Sequence, residues 1–531
     1  MPRIVVITDE QMGAALAGPA LRAWALAEAL SGEHEVAVRS TAGIDVAGLG
    51  AVAGNGGSGI DFGDGAALDK DTLENLDRWA DVIIFGGYLL VRFPWLRRTT
   101  TVLVADLYDP FHLEVLAGFA AATSPASAPP PGASSPTSEN PSPDAQIGEA
   151  RTQVAGETPD GAAGTGYSPP PNDAGTGGDT EAGADPGEGQ DAVEMHRLDT
   201  TLDALSDQMG RADFMVCASE RQRDFWLGHL GAIGRLNPVA QAHDPTFRRM
   251  IDVCPFGLGE PATRTGDGFR NRTSGPFGAI GAEDPVVLWG GGVYDWLDAS
   301  TAIEAVGRLR GEIPGIRLVF LGGAHPTHGE SAAFQAAREE AEPLGDTVVF
   351  NDAWVRYDQR HNYLLDATVA ITTHHEHLET HFAFRTRVLD YLWCGLPMVL
   401  SGGDELGDQV QRVGAGAVCP PGDVDAVTDG LRRLLTDNTA RAEAATASWE
   451  LGQSYLWSTA LRPLVEFCRD PEPAPDLADE RVAAVVARRS RLPGTGVAPL
   501  AEVGRDAVRA ARVIRNVGAG DLLRRAKDRR K

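Results

Sequence analysis

Between Glu376 and Pro397 the chain sets four charged side chains within twelve residues: Glu379, Arg385, Arg387 and Asp390. The apolar run Thr386–Cys394 predicts a helix here, and two arginines at a helix start oppose the dipole, which favours anions at that end. Their place makes sense if the site holds an anion, because a guanidinium fork grips phosphate oxygens in bidentate fashion. Asp390, three residues past Arg387, is placed to accept hydrogen bonds from a diol such as that of a ribose. An Arg–Asp ion-pair network on a helix surface is the plainer use of the same residues. A second candidate is Gly290-Gly291-Gly292, directly after the apolar strand Val286–Trp289 and before a helix whose expected cap is Asp298. Backbone N–H groups at such a turn, with a helix start behind them, suit a diphosphate; a tight turn alone also calls for glycine. His374, His375, His377 and His381 lack the helical i, i+4 frame and the ordered acidic partners of a metal cluster, so no metal is expected.

These residues need elements that aim them at one place. Ile4–Thr8 is a continuous apolar strand, and Gly18-Pro19 opens a helix, with Pro suited to the first turn. Strands at Glu35–Arg39, Asp81–Phe85 and Thr101–Ala105 follow, then a helix at Met195–Met209, a strand at Phe214–Ala218 and a helix at Glu220–Leu230. A second series starts at Pro285: strands at Val286–Trp289, Arg317–Leu321, Thr347–Phe350, Thr368–Thr372 and Pro397–Leu400, again alternating with helical runs. The reading is α/β: two Rossmann-like doubly wound domains facing a cleft, with ligands expected at the carboxyl ends of the strands. Residues 1–256 form the first domain and 257–450 the second; 451–470 is a helix packing back towards the first, and 471–531 a basic amphipathic tail. No G-x-G-x-x-G run follows the first strand and no G-x-x-x-x-G-K-[ST] occurs, which disfavours dehydrogenase and P-loop chemistry.

Composition bounds the rest. The chain has 531 residues and a formal charge of −27. Residues 122–190 hold twelve of its 34 Pro and a net −9, with few large apolar residues, and read as a disordered insertion inside the first domain. Residues 481–531 carry +10, leaving −28 on the residues outside both segments. An acidic body argues against nucleic acid as a partner. Leu500, Val503, Ala507, Ala511 and Ile514 share one helical face among arginines, a pattern that fits an anionic membrane surface. Five widely spaced Cys suggest a reducing compartment, the first residues lack a signal-peptide pattern, and no apolar run reaches the length of a bilayer span. The expected location is the cytoplasm, peripheral at the inner face of the plasma membrane if the tail binds lipid.

The run Asp390-Tyr391-Leu392-Trp393-Cys394-Gly395-Leu396-Pro397-Met398-Val399 resembles the E-A-x-A-x-G-x-P-V-V signature of retaining glycosyltransferases of the family 4 type, which have a GT-B fold. The N-terminal strand, loop and Gly-Pro helix opening, Cys217-Ala218-Ser219-Glu220, Pro255-Phe256-Gly257, and Gly414-Ala415-Gly416 with Pro421-Gly422-Asp423 are similar to that family's landmarks, in the same order. The resemblance covers most of residues 1–470 outside the insertion. It implies metal-independent transfer, with retention, of a sugar from a nucleotide-diphosphate donor in the second domain to a glycan or lipid-linked acceptor in the first. Polysaccharide or cell-envelope glycan assembly is the implied setting, with no cofactor. Asp390 stands where the family's second Glu binds the ribose. The position of its first Glu is Phe382, with Glu379 three residues away as the implied replacement. Gly291 and Trp296 stand where the family has an Arg and a Lys on the diphosphate, so Arg385 and Arg387 are the implied substitutes beside Gly290, Gly291 and Gly292. Asp106 stands where a His is common, and Asp109 or His112 is the implied partner of a donor-sugar or acceptor hydroxyl; a turn closed by Asp109-Pro110 remains the alternative. Asp423-Val424-Asp425 matches the D-x-D of metal-dependent glycosyltransferases but reads as a helix cap. A GT-B scaffold that binds without catalysis, and a GT-B nucleotide-sugar epimerase, are the competing readings.

Overall fold

The computed structural model describes residues 1–13, 18–53, 59–123, 186–269, 275–322, 331–352, 355–356 and 359–490. Its first sheet takes β1 (Arg3–Thr8), β2 (Glu35–Ser40), β3 (Ile60–Asp61), β4 (Val82–Phe85), β5 (Val102–Asp106), β6 (Phe214–Cys217) and β7 (Ile251–Val253) in the order β3-β2-β1-β4-β5-β6-β7, every pair parallel. The second takes β8 (Val286–Trp289), β9 (Arg317–Phe320), β10 (Val348–Phe350), β11 (Val369–Thr372), β12 (Met398–Ser401) and β13 (Gly416–Cys419) in the order β10-β9-β8-β11-β12-β13, also parallel. Helices cover both faces of each sheet, so the strands are apolar throughout and alternate between two cores. Val5 and Ile7 of β1 enter one core and Ile4 and Val6 the other, while Val287 and Trp289 of β8 part from Val286 and Leu288 in the same way. The expected strands are present to within a residue or so. The structure adds β3, β7 and β13, all three at or next to a sheet edge: β3 and β7 are very short, and β13 starts on a glycine.

Helices Phe111–Thr123 and Pro186–Arg211 lie in the single crossover between β5 and β6 and pack on each other, so the acidic insertion interrupts one connection of the first sheet. Most of 122–190 lies outside the described residues.

Two segments join the domains and hold one another. Leu258 N donates to Tyr455 O at 2.7 Å and Trp457 N to Leu258 O at 3.0 Å, forming a short parallel bridge. Gly257 fits here because a Cβ would come within 2.5 Å of the Trp457 ring. Beyond the bridge, helix Arg462–Arg469 packs Leu464 and Cys468 into the core of the first domain.

The tail begins later than the sequence suggests. Residues 471–490 are docked on the first domain: helix Pro475–Ala478 brings Asp476, fully buried, against the equally buried Arg235 at 2.8 Å, and Ala474 N donates to Asp213 at 2.9 Å. Asp476 supplies the countercharge that Arg235 needs away from water, so this part of the chain cannot be a free basic tail. Helix Glu480–Arg489 follows, with Val486 buried. The predicted amphipathic helix Leu500–Val517 lies outside the described residues. Among the described residues no helix is long and apolar enough to cross a membrane.

Asp476→Ala should leave Arg235 as an uncompensated buried charge and lower the unfolding free energy by about 3–5 kcal/mol, measured by urea denaturation. An unchanged midpoint would show that 471–490 contributes nothing to the fold.

Candidate functional site

The carboxyl ends of the two sheets face one another, and the loops leaving β5 and β11 carry the charges. Asp109 lies just beyond β5, and Glu114 in the first turn of helix Phe111–Thr123. From the second domain, the short helix Leu378–Phe382 is capped by His377, whose ring accepts from Thr380 N at 3.3 Å. This cap turns Glu379 inward, and the side chain is buried. Arg385 Nη2 donates to Glu379 Oε2 at 2.6 Å and to Thr380 Oγ1 at 3.3 Å, while Arg385 Nε is buried without a partner.

Asp109, Glu114 and Glu379 therefore meet across the cleft near one guanidinium. Burial, then the negative charge of Glu379, outweighs the pull of Arg385 and pushes the Asp109 carboxyl from its ordinary 3.8 up to about 7. Burial, Asp109 and Glu379 likewise drive Glu114 well above the usual carboxylate range. Neighbouring carboxylates in low dielectric disfavour one another's charge, and Asp109 and Glu114 are held towards the protonated form. Glu114 is a site residue beyond those the sequence points to; its signal is its place one helical turn past the Asp109-Pro110 turn.

Further contacts bring the same faces together. From helix Glu220–Ile233, capped by Ser219, Gln222 Nε2 donates to Phe382 O at 2.9 Å and Arg221 Nη1 to Gly403 O at 2.9 Å. Arg221 also pairs with Asp408 and, at 3.5 Å, with Glu405, and the rings of Phe225 and Phe382 lie 4.6 Å apart. Phe382, where a carboxylate is expected from the resemblance, serves this packing.

His112 lies among aromatic side chains. Its ring stacks on Phe225 at 5.5 Å and approaches Trp226 at 5.7 Å, and burial, then His229, pulls its pKa down to about 4. It is a neutral imidazole in an aromatic pocket.

Asp106 is bound by Arg22, a residue that carries no signal in the sequence. Arg22 is almost fully buried and reaches both carboxylate oxygens, at 2.5 and 2.8 Å. It also donates to Cys254 O at 2.9 Å and Pro255 O at 3.1 Å and lies 4.8 Å over the Tyr108 ring. Asp106 thus ties the end of β5 to the segment leading into the domain crossing.

At the glycine loop, Gly291 has φ +88°, and a Cβ on Gly322 would come within 2.5 Å of Gly291, so two backbones pass closely here. Gly290 N donates to Tyr391 Oη at 3.0 Å, and that hydroxyl donates to Ile371 O at 3.1 Å. Arg387 Nη2 donates to Gly292 O at 3.0 Å and its guanidinium lies 5.3 Å over the Trp289 ring, but Nη1 is buried without a partner. Burial disfavours the Arg387 charge, and its pKa is lowered. The two arginines thus differ: Arg387 joins Gly290, Gly291 and Gly292, whereas Arg385 is committed to Glu379. Asp390 pairs with Arg360 at 2.7 Å, the ion-pair alternative, and burial raises its pKa despite Arg360 and Arg387. Asp423 caps its helix by accepting from Ala426 N at 2.9 Å.

A carboxyl whose folded-state pKa is raised holds a proton in the native state that the unfolded chain releases between about pH 4 and 7. Its ionisation therefore costs stability as pH rises through that window, and the cost is fully present above pH 7. Asp109→Asn should raise the melting temperature at pH 8 by at least about 2 °C and leave it nearly unchanged at pH 4, read by differential scanning calorimetry. An equal shift at both pH values would remove the buried-proton account.

Residues 284–437 match the family described as Glycosyl transferases group 1. No curated protein matches the chain. Among solved structures, HepE of Anabaena in complex with UDP-glucose is similar at 13% identity and TM-score 0.54, over 88% of this chain and 100% of that one. Sucrose-phosphate synthase from Thermosynechococcus elongatus is similar at 14% identity and TM-score 0.51, over 88% and 98%. WaaG, a glycosyltransferase involved in lipopolysaccharide biosynthesis, is similar at 11% identity and TM-score 0.50, over 88% and 100%. At these identities the likeness is one of fold: the two parallel-sheet domains form the GT-B architecture, and the family match lies in the second of them.

Proposed function

We propose that the protein transfers a sugar from a nucleoside-diphosphate sugar to an acceptor hydroxyl. The observation that carries this is Arg387: a half-buried side chain whose Nη1 is buried and unpaired, beside three consecutive glycines at the end of a parallel strand. A cation with a buried, empty donor calls for an anion, and a diphosphate meets both it and the N–H groups of Gly291 and Gly292, that of Gly290 being taken by Tyr391. The match of residues 284–437 to the group 1 glycosyltransferases gives that anion its chemical class.

In the reaction the bond from the sugar's anomeric carbon to the diphosphate oxygen breaks and one to the acceptor oxygen forms. The acceptor proton passes to the departing diphosphate, as the family 4 resemblance implies for a retaining, metal-independent transfer. Arg387 and the loop stabilise the charge that grows on the leaving group. Asp109 and Glu379, from opposite domains, flank the reacting carbon and hold hydroxyls of the sugar and acceptor, while Arg385 fixes Glu379. Asp390, held by Arg360, is the candidate for the ribose. UDP-glucose, bound by HepE, is the first donor to test. A glycan or lipid-linked acceptor fits a role in polysaccharide or envelope assembly in the cytoplasm, at the membrane face if residues 491–531 bind anionic lipid.

Calorimetric titration with UDP, GDP, dTDP and ADP, their sugars and the free nucleosides should reveal one nucleoside diphosphate that binds without Mg²⁺. Arg387→Ala should weaken it at least about tenfold, about 1.4 kcal/mol, and leave the nucleoside unaffected. If no nucleotide binds, the donor reading fails and the scaffold reading takes its place.

A further inference from the structure

The first domain contains a cavity at the carboxyl ends of β1, β4 and β5, whose lining includes Thr8, Asp9, Glu10, Asp106, Tyr108 and Asp109. Four of these six are carboxylates, and among the described residues no Lys, Arg or His lines it. Arg22 neutralises Asp106 from behind. Asp9 is held in place by Tyr88 N at 2.9 Å and Thr41 Oγ1 at 3.0 Å, and burial still raises its pKa. Gly87 permits this approach, since with φ +65° a Cβ there would come within 2.3 Å of Asp9 Oδ2. Pro19, Leu26, Ile84 and Phe111 give the rest of the lining an apolar wall. Asp109 belongs to both places: it lines this cavity and shares charge with Glu379 and Arg385 across the cleft. The cavity thus leads to the point where the two domains' carboxylates meet.

We propose that this cavity seats the acceptor, and that its carboxylates select a neutral or amine-bearing sugar and exclude a phosphorylated one. The inference rests on the glycosyl-transfer reading. Carboxylate oxygens accept from hydroxyl or ammonium donors, and the apolar wall matches the C–H face of a pyranose. A phosphate here would bring negative charge against Glu10 and against Asp9 and Asp109, whose charge burial already disfavours, and Arg92, which acts on Asp9, is not among the lining side chains, so no described lining cation receives it. Selection is therefore built from repulsion of the wrong acceptor as well as attraction of the right one.

The test uses the full chain, with and without a saturating nucleoside diphosphate identified by titration. Saturation-transfer NMR would compare glucose, glucosamine and glucose 6-phosphate, then the matching galactose and mannose series. The neutral or amino member of at least one series should bind tenfold or more tightly than its phosphate, and Asp109→Asn and Glu10→Gln should each narrow that gap. A phosphate ester that binds as well as its parent overturns the proposal, as does a nucleotide-binding protein that binds no sugar in any series. Failure of every nucleotide to bind would instead sink the donor reading, and the sugar comparison made without nucleotide would still decide whether the cavity discriminates against phosphate.

Discussion

Three carboxylates meet around one guanidinium where the two domains face each other, and the rest of the architecture makes that meeting tolerable. Asp109 and Glu114 come from the first domain, Glu379 and Arg385 from the second. Like charges in a poorly solvated cleft repel by far more than they would in water, so the arrangement relies on Asp109 and Glu114 held towards the protonated form, a close cation and rigid supports. The supports are visible: His377 caps the helix that presents Glu379, and Gln222 and Phe225 hold the end of that helix from across the cleft. Charge that costs free energy in the resting protein is charge available to a hydroxyl-bearing ligand, whose donors replace the missing water.

A second buried ion pair fastens the end of β5 to the segment that leads out of the first domain. Arg22 grips Asp106 at the end of β5 and, with its remaining donors, the carbonyls of Cys254 and Pro255 at the start of the domain crossing. Three residues past Asp106 comes Asp109. The backbone that carries the reacting-face carboxylate and the backbone that leads into the second domain are therefore fastened to the same guanidinium. Just beyond it, the Leu258 bridge ties the crossing to the 455–457 segment. Breaking such a pair leaves a charge buried alone, which is costly, whereas its net contribution to stability is small, so it serves register more than strength.

The fold is legible because parallel strands covered on both faces read as continuous apolar runs, with no need for alternating polar residues: Ile4–Ile7 and Val286–Trp289 can each be recognised alone. Short edge strands such as Ile60–Asp61 lack that signal. Within the site, the glycine loop and Arg387 are legible because a few residues after a strand fix their own geometry. Arg385 reads as a phosphate ligand because the sequence shows two arginines at a helix start, but not that a one-turn helix folds Glu379 back onto the first of them. Arg22 with Asp106 and Arg235 with Asp476 are invisible for a simpler reason: their partners lie far away in the sequence, and only the closed core brings them together. The docking of 471–490 is hidden by the same gap.

The two arginines show how a site changes its ligands without losing its charge. The positions of the expected diphosphate cations are Gly291 and Trp296, and Gly291 takes φ +88°, a conformation that side-chain-bearing residues rarely adopt, while its backbone passes close to Gly322. Arg387 enters from the neighbouring helix instead, lying over Trp289 with one nitrogen on Gly292 O and the other unpaired. A guanidinium fixed by a ring face and a carbonyl is already oriented, so a diphosphate would not have to order it. Arg385, two residues earlier and on the other side of the helix start, is left to hold Glu379. The split follows from the helix geometry, since side chains two apart cannot share a face. One short segment can therefore serve the anion and the carboxylate separately.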